Sequence, residues 1–235
     1  AHRASQPIQS ARDACIQFAQ ILNNDAHAHF SFVAFNETIG VNDSSKATGY
    51  SKQISDSYGP STGGGIALPL SVLDPIPANT RFTEINNAIS GGGPVVLPGP
   101  VASGSTNIGA AVDAAVTQLK VNKRANARRA IVLFTDGQPT AGGPLSGDPW
   151  ANARMAAVKA RDEGIPVYTI GLAQIPAIVA GQTAILNDTN NSPSAGGIAA
   201  ISGQGASFTQ VTNQNQLRLA FEKVLRRLIQ LVQAK

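Results

Sequence analysis

Apolar residues recur along this chain at two spacings, and the two alternate. Ile8, Ala11, Cys15, Phe18 and Leu22 share one face of a helical repeat, behind Ser5 as N-cap with Pro7 in the first turn, and Asn23-Asn24 stops that helix. "HFSFVAF" (29–35) then reads as a strand apolar enough to be buried on both faces. "IALPLSVL" (66–73) reads as an edge strand, because Pro69 withholds an N–H from any ladder. A short helix is expected over 81–90, carrying Phe82, Ile85 and Ile89 and ended by Gly91-Gly92-Gly93. Ile108, Val112, Val116 and Leu119 mark a helix over 107–120, and "AIVLFT" (130–135) marks a buried strand. Asp148-Pro149 is an N-cap and first-turn pair for a helix to Glu163, closed by Gly164. "IPVYTIGLA" (165–173) and "GASFTQV" (205–211) are further strands, separated by a weaker helix or loop from Ile175 to about Gly203. The last helix, about 214–234, sets Leu217, Phe221, Val224, Leu228 and Leu231 on one face.

Strands alternating with helices predict an α/β fold: a Rossmann-like, doubly wound, mostly parallel central sheet with helices on both faces. A length of 235 residues fits one domain, 1–235, with enlarged polar loops at about 37–65 and 91–104. A hydrophobic share of 43% supplies a core, built mainly from Ala, Gly, Val and Ile because aromatics make up 5%. The net charge of +4 gathers only at Lys123, Arg124, Arg128 and Arg129, with no aromatic residues between them to stack bases, so nucleic acid is not the expected partner. The basic side of the last helix (Arg218, Lys223, Arg226, Arg227) fits a solvated face opposite a sheet-docking one. Cys15 is the single cysteine and allows no internal disulfide, and no apolar run is long enough to span a bilayer.

The chemistry gathers at the exit of one strand. In an open α/β sheet, ligands collect at the carboxyl ends of the strands, and Asp136 follows "IVLFT" directly. Alone, an Asp-Gly after a strand is a turn former. "GSTNIG" (104–109), however, puts the Thr106 hydroxyl at the start of the helix that feeds this strand. Helix capping is the competing role for Thr106. A hydroxyl and a carboxylate together are hard oxygen donors, suited to Mg²⁺, Mn²⁺ or Ca²⁺. The histidines form no metal pattern, and no nucleophile elbow, zinc-protease or phosphate-loop motif occurs.

"SFVAFN" (31–36), "GSTNIGAAVDAAVTQL" (104–119) and "IVLFTDGQPT" (131–140), in that order, resemble a von Willebrand factor type A (vWA) domain. "VYTIGLA" and "FTQVTN…LRLAFEKVL" are similar to its last two strands and final helix. The resemblance implies a metal-ion-dependent adhesion site, in which an open coordination position on Mg²⁺ takes an acidic group of a protein partner. It carries over to Thr106 and Asp136 as metal ligands, direct or through water, and implies adhesion or assembly without turnover. Asn36, Ser105, Asn107, Gly137 and Gln138, in the loops around these ligands, are then expected to meet the partner.

The family's Asp-x-Ser-x-Ser and the first strand that carries it do not occur here, and would fall just before Ala1. "NDSSK" (42–46) has the residue types but follows the second strand. In such a sheet the first strand is central, between 29–35 and 130–135, and each backbone group left buried and unpaired costs about 1–3 kcal/mol. An upstream segment, a strand from another chain, or an internal stretch such as "PVVLP" (94–98) is expected to fill the place, the prolines speaking against the last. Residues 1–235 alone are expected to bind metal weakly or not at all. The polar loops fit an extracellular or bacterial cell-envelope protein, of the kind found in tight-adherence pilus assembly. The alternatives are a vWA subunit of an intracellular chelatase or ATPase assembly, and a doubly wound enzyme with Asp136 as an acid, for which no nucleophile, base or cofactor fingerprint is present.

Overall fold

The computed structural model describes residues 6–23, 32–33, 35, 66–68, 106–121, 123, 125–143, 145–172, 176–187, 192–203 and 205–233. The chain divides into two compact units, Ala1–Gly104 and Ser105–Lys235. The expected helix at 81–90 and the loops at 37–65 and 91–104 lie outside the described residues.

In the first unit, helix α1 (Gln6–Asn23) forms where the helical repeat places it; Phe18 of the expected face is buried beside Ala14 and Ala19, and Cys15 is half-buried. Strand β1 (Phe32–Val33) pairs antiparallel with β2 (Ile66–Leu68), in the register Phe32↔Leu68 and Val33↔Ile66. β2 ends one residue before Pro69.

The second unit holds the parallel sheet. Helix α2 (Ile108–Val121) leads to β3 (Ile131–Thr135), and helix α3 (Pro149–Asp162) crosses to β4 (Val167–Leu172). Helix α4 (Pro176–Gln182) runs into a π-turn (Thr183–Asn187), followed by α5 (Ile198–Ser202), β5 (Phe208–Val211) and α6 (Gln214–Gln233). The strand order is β3-β4-β5, with Ile131 opposite Val167 and Thr169 opposite Phe208. β4 lies between the other two and is almost wholly buried, as its continuous apolar run requires. β3 alternates instead: Ile131, Leu133 and Thr135 are buried, while Val132 and Phe134 are half-buried. Phe134 meets Phe221 of α6 at a centroid distance of 6.2 Å, so α6 covers that face. Helices α2, α3 and α5 pack in a row, α3 between the other two. Among the described residues, β3 has a strand neighbour on its β4 side only.

The ends of α3 follow local rules. The Asp148 carboxylate accepts the Ala151 N–H at 2.6 Å, Pro149 fills the first turn, and Gly164 leaves the helix at φ 68°. At the amino end of the sheet, the Arg129 guanidinium donates to the Leu119 and Glu163 carbonyls and so ties the ends of α2 and α3 together. Lys120, 2.5 Å from the Glu163 carboxylate, is the main reason that this acid sits below the usual carboxylate range.

Candidate functional site

The carboxyl edge of the sheet is built from three polypeptide turns. The first enters α2. Asn107, and not Thr106, caps this helix: its Oδ1 accepts the Ala110 N–H at 3.0 Å. The capping role that competes for Thr106 is thereby taken by its neighbour. The Thr106 backbone is stitched to the second turn, which leaves β3. Its N–H donates to Thr140 Oγ1 at 2.7 Å, and its carbonyl accepts from Thr140 N at 2.9 Å and Ala141 N at 3.3 Å.

This stitching brings Thr106 over the strand exit. A side-chain carbon placed on Gly137 would lie 2.9 Å from Thr106 Oγ1, so glycine is what allows the hydroxyl to approach. Asp136, one residue earlier, is exposed, and among the described residues no hydrogen bond or ion pair holds its carboxylate. The turn itself is closed by Thr135, whose Oγ1 accepts the Gly137 N–H at 3.2 Å. The acid is therefore not consumed in forming the turn, as a bare turn former would be.

A third turn, at the entry to α3, locks the first two from behind. Asn152 is wholly buried; its Nδ2 donates to Asn107 Oδ1 at 3.2 Å, and its Oδ1 accepts from Leu145 N at 3.2 Å and Ser146 N at 3.3 Å. Asn107 Nδ2 donates in turn to the Gly142 carbonyl at 2.7 Å. On the far side, the buried Gln182 donates to the carbonyls of Thr135 and Leu172, both at 3.4 Å, and accepts from Gln210 Nε2 at 3.2 Å. Gln138 lies so close to Gly181 that any side chain there would overlap its amide.

Thr106, Asp136 and Gly137 thus come together at one edge. Asn107, expected to face a partner, is 4% exposed and spends its side chain inside the fold, because the helix start needs a cap and the neighbouring loop needs a donor. Gln138 is half-buried against α4. Asn36 and Ser105 lie outside the described residues. Thr140, Asn152 and Gln182 had no part in the sequence reading. Thr140 was visible as a hydroxyl near the Asp-Gly turn, but nothing in the local pattern reveals that a helical asparagine or glutamine points inward.

As donors for a divalent cation, the Thr106 hydroxyl and Asp136 carboxylate are hard oxygens at one strand end and fit as members of a cage. They do not complete one: among the described residues no group of three or more His, Cys, Asp or Glu gathers anywhere. No helix of the described residues is long and apolar enough to cross a membrane.

The family model for the von Willebrand factor type A domain matches residues 79–223, more than half of the chain. Among solved structures, proximal thread matrix protein 1 from the mussel byssus aligns at a TM-score of 0.52 and 15% identity, over 94% of this chain and 43% of that one. A further structure of that protein, with a zinc-occupied MIDAS motif, aligns at 0.52 and 16% identity, over 93% and 42%. The pilus adhesin SpaC from Lactobacillus rhamnosus GG aligns at 0.54 and 13% identity, over 94% and 28%. These identities speak to the fold alone, and the present chain spans less than half the length of each of these chains. No curated protein matches the sequence. With the family model covering the α2 turn, the β3 exit and all three parallel strands, the chain belongs to the von Willebrand factor type A domain family.

Proposed function

We propose that this chain is a vWA-type binding module without turnover, which takes up a carboxylate of a protein partner through a divalent cation at the carboxyl edge of the sheet. Thr106 and Asp136 are the cation's protein ligands in this reading, and residues 1–235 act as one such module. The observation that carries it is the pairing of a Thr106 hydroxyl held over Gly137 with an Asp136 carboxylate that no described residue engages. A cation adds what the pair lacks, a positive centre with an open position for an acidic group. The neighbours that are a matrix protein and a pilus adhesin support a binding role and an extracellular or envelope setting.

The remaining donors come, in this reading, from a strand laid along the side of β3 that no described strand pairs, from this polypeptide or from another. Mg²⁺ is the preferred ion, with Mn²⁺ and Ca²⁺ as alternatives. Calorimetric titration of residues 1–235 with Mg²⁺ tests the assignment, with and without a peptide of the Asp-x-Ser-x-Ser strand type. Weak binding that strengthens at least about tenfold with the peptide, and that Asp136→Ala abolishes, is the expected result. Equal affinity in Asp136→Ala removes the site.

A further inference from the structure

Two hard donors serve one cation only if their separation is held to a fraction of an ångström, and neither Thr106 nor Asp136 supplies that constraint alone. We propose that Asn152, on α3 and hydrogen-bonded to neither Thr106 nor Asp136, is the positioning residue that sets the Thr106 turn against the loop leaving β3. This rests on the metal-site reading for its purpose but on the hydrogen bonds for its substance.

Asn152 joins separate stretches of chain through one amide. Its Nδ2 reaches Asn107, the residue after Thr106, while its Oδ1 collects the N–H groups of Leu145 and Ser146. Asn107 passes the constraint on to Gly142, one residue beyond the Thr140-Ala141 pair that grips the Thr106 backbone. The surroundings are cut to fit this amide. A side chain on Gly109 would overlap Asn152, and one on Gly143 would stand 2.5 Å from its Nδ2 and 3.1 Å from Asn107 Oδ1. The two glycines thus admit a buried polar side chain where packing alone would favour alanine.

The physical consequence is a directional lock. A buried amide that both donates and accepts cannot rotate or shift without leaving a polar group unpaired, whereas an apolar side chain of equal size could slide. The lock acts on the Thr106 turn through Asn107 and on the β3–α3 loop through Leu145 and Ser146. Both sides of the cation edge are therefore referred to one residue of the rigid helix α3.

Hydrogen exchange of the full chain tests the lock without any metal. In Asn152→Asp, the acceptor side is kept and the donation to Asn107 is lost. The Thr106, Ala110, Thr140 and Ala141 amides are expected to exchange at least about tenfold faster, while Leu145 and Ser146 and the strands β4 and β5 keep their protection. Asn152→Ala, which buries no charge, is expected to release Leu145 and Ser146 as well. Unchanged protection at Thr106 and Thr140 in both variants, or a parallel fall in β4, would overturn the proposal. Mg²⁺ and Ca²⁺ titrations of the same variants then separate it from the metal reading. Loss of position lowers Mg²⁺ affinity more than Ca²⁺ affinity, since Mg²⁺ demands near-ideal octahedral geometry and Ca²⁺ does not. If Asp136→Ala leaves both affinities unchanged while the exchange result stands, the metal reading falls and the lock remains.

Discussion

Gly137 shows how much a single missing side chain decides at this edge. A methyl group there would meet Thr106 Oγ1 at 2.9 Å, closer than carbon and oxygen settle, and either the hydroxyl or the turn must give way. Gly137→Ala is expected to weaken divalent-cation binding by about tenfold or more, as displacement of a ligand's support typically does, with little change in thermal stability. Thr106→Ser keeps the hydroxyl and should bind nearly as wild type, whereas Thr106→Ala should not; titration of the three variants side by side checks both statements. Cys15 makes the opposite kind of residue-level case. Cys15 is half-buried in α1, and desolvation there pushes its thiol up to about 12, so it stays protonated near neutral pH. A raised thiol value adds stability that is complete below the ordinary thiol range and is lost as pH climbs through it towards 12. Iodoacetamide at pH 8 should therefore modify the native chain at least about tenfold more slowly than the urea-unfolded one. Equal rates would mean that Cys15 is open to solvent.

Among the elements, α3 carries both a stability device and a positional one, and they are separable. Its N-cap is Asp148, whose carboxylate holds the Ala151 N–H at 2.6 Å on the exposed side of the helix start. Asp148→Ala should cost about 1 kcal/mol, and Asp148→Ser should recover most of it. For a chain of this size that amounts to a fall of about 2–4 °C in the thermal midpoint, measurable by circular dichroism. The Asn152 lock sits one turn further along, facing α2 across Gly109. Gly109→Ala is accordingly expected to destabilise by about 1–3 kcal/mol through overpacking, although the same change on an exposed helix face would stabilise. The contrast between these substitutions on α2 and α3 distinguishes a crossing built on a buried amide from one built on ordinary apolar contact.

At the scale of the molecule, the side of β3 that no described strand pairs is the feature with the widest consequence. Its buried positions Ile131, Leu133 and Thr135 alternate with the half-buried Val132 and Phe134, an interior type of strand, yet hydrogen-bonded strand pairing is present on one side only among the described residues. A strand edge that lacks a neighbour invites a further strand. A peptide of the family's first-strand type should raise the thermal midpoint in proportion to the logarithm of its concentration, as linkage requires, and protect the Val132 and Phe134 amides from exchange. Absence of both effects would show that the edge is closed by something else.

The elements written by period and punctuation were readable in the amino-acid sequence: α3 between Asp148-Pro149 and Gly164, β4 as a continuous apolar run, and α6 with Leu217, Phe221 and Val224 buried. These depend on neighbours a few residues apart, and such spacing survives in a linear string. The family, too, was legible, from "SFVAFN", the "GSTNIG" turn and the "TDGQPT" turn in that order. The sequence alone therefore determined the alternation of elements, the parallel sheet and the placing of Thr106 and Asp136 at its carboxyl edge. Tertiary structure alone decided which hydroxyl is left over and which is spent. It made Asn107 the cap in place of Thr106, turned the Asn107 side chain into the fold, and turned Asn152 and Gln182 inward to hold the turns. The reason is physical: an amide's role depends on which unpaired N–H or carbonyl folding brings within about 3 Å of it. Those partners lie as far as 45 and 47 residues away in the chain.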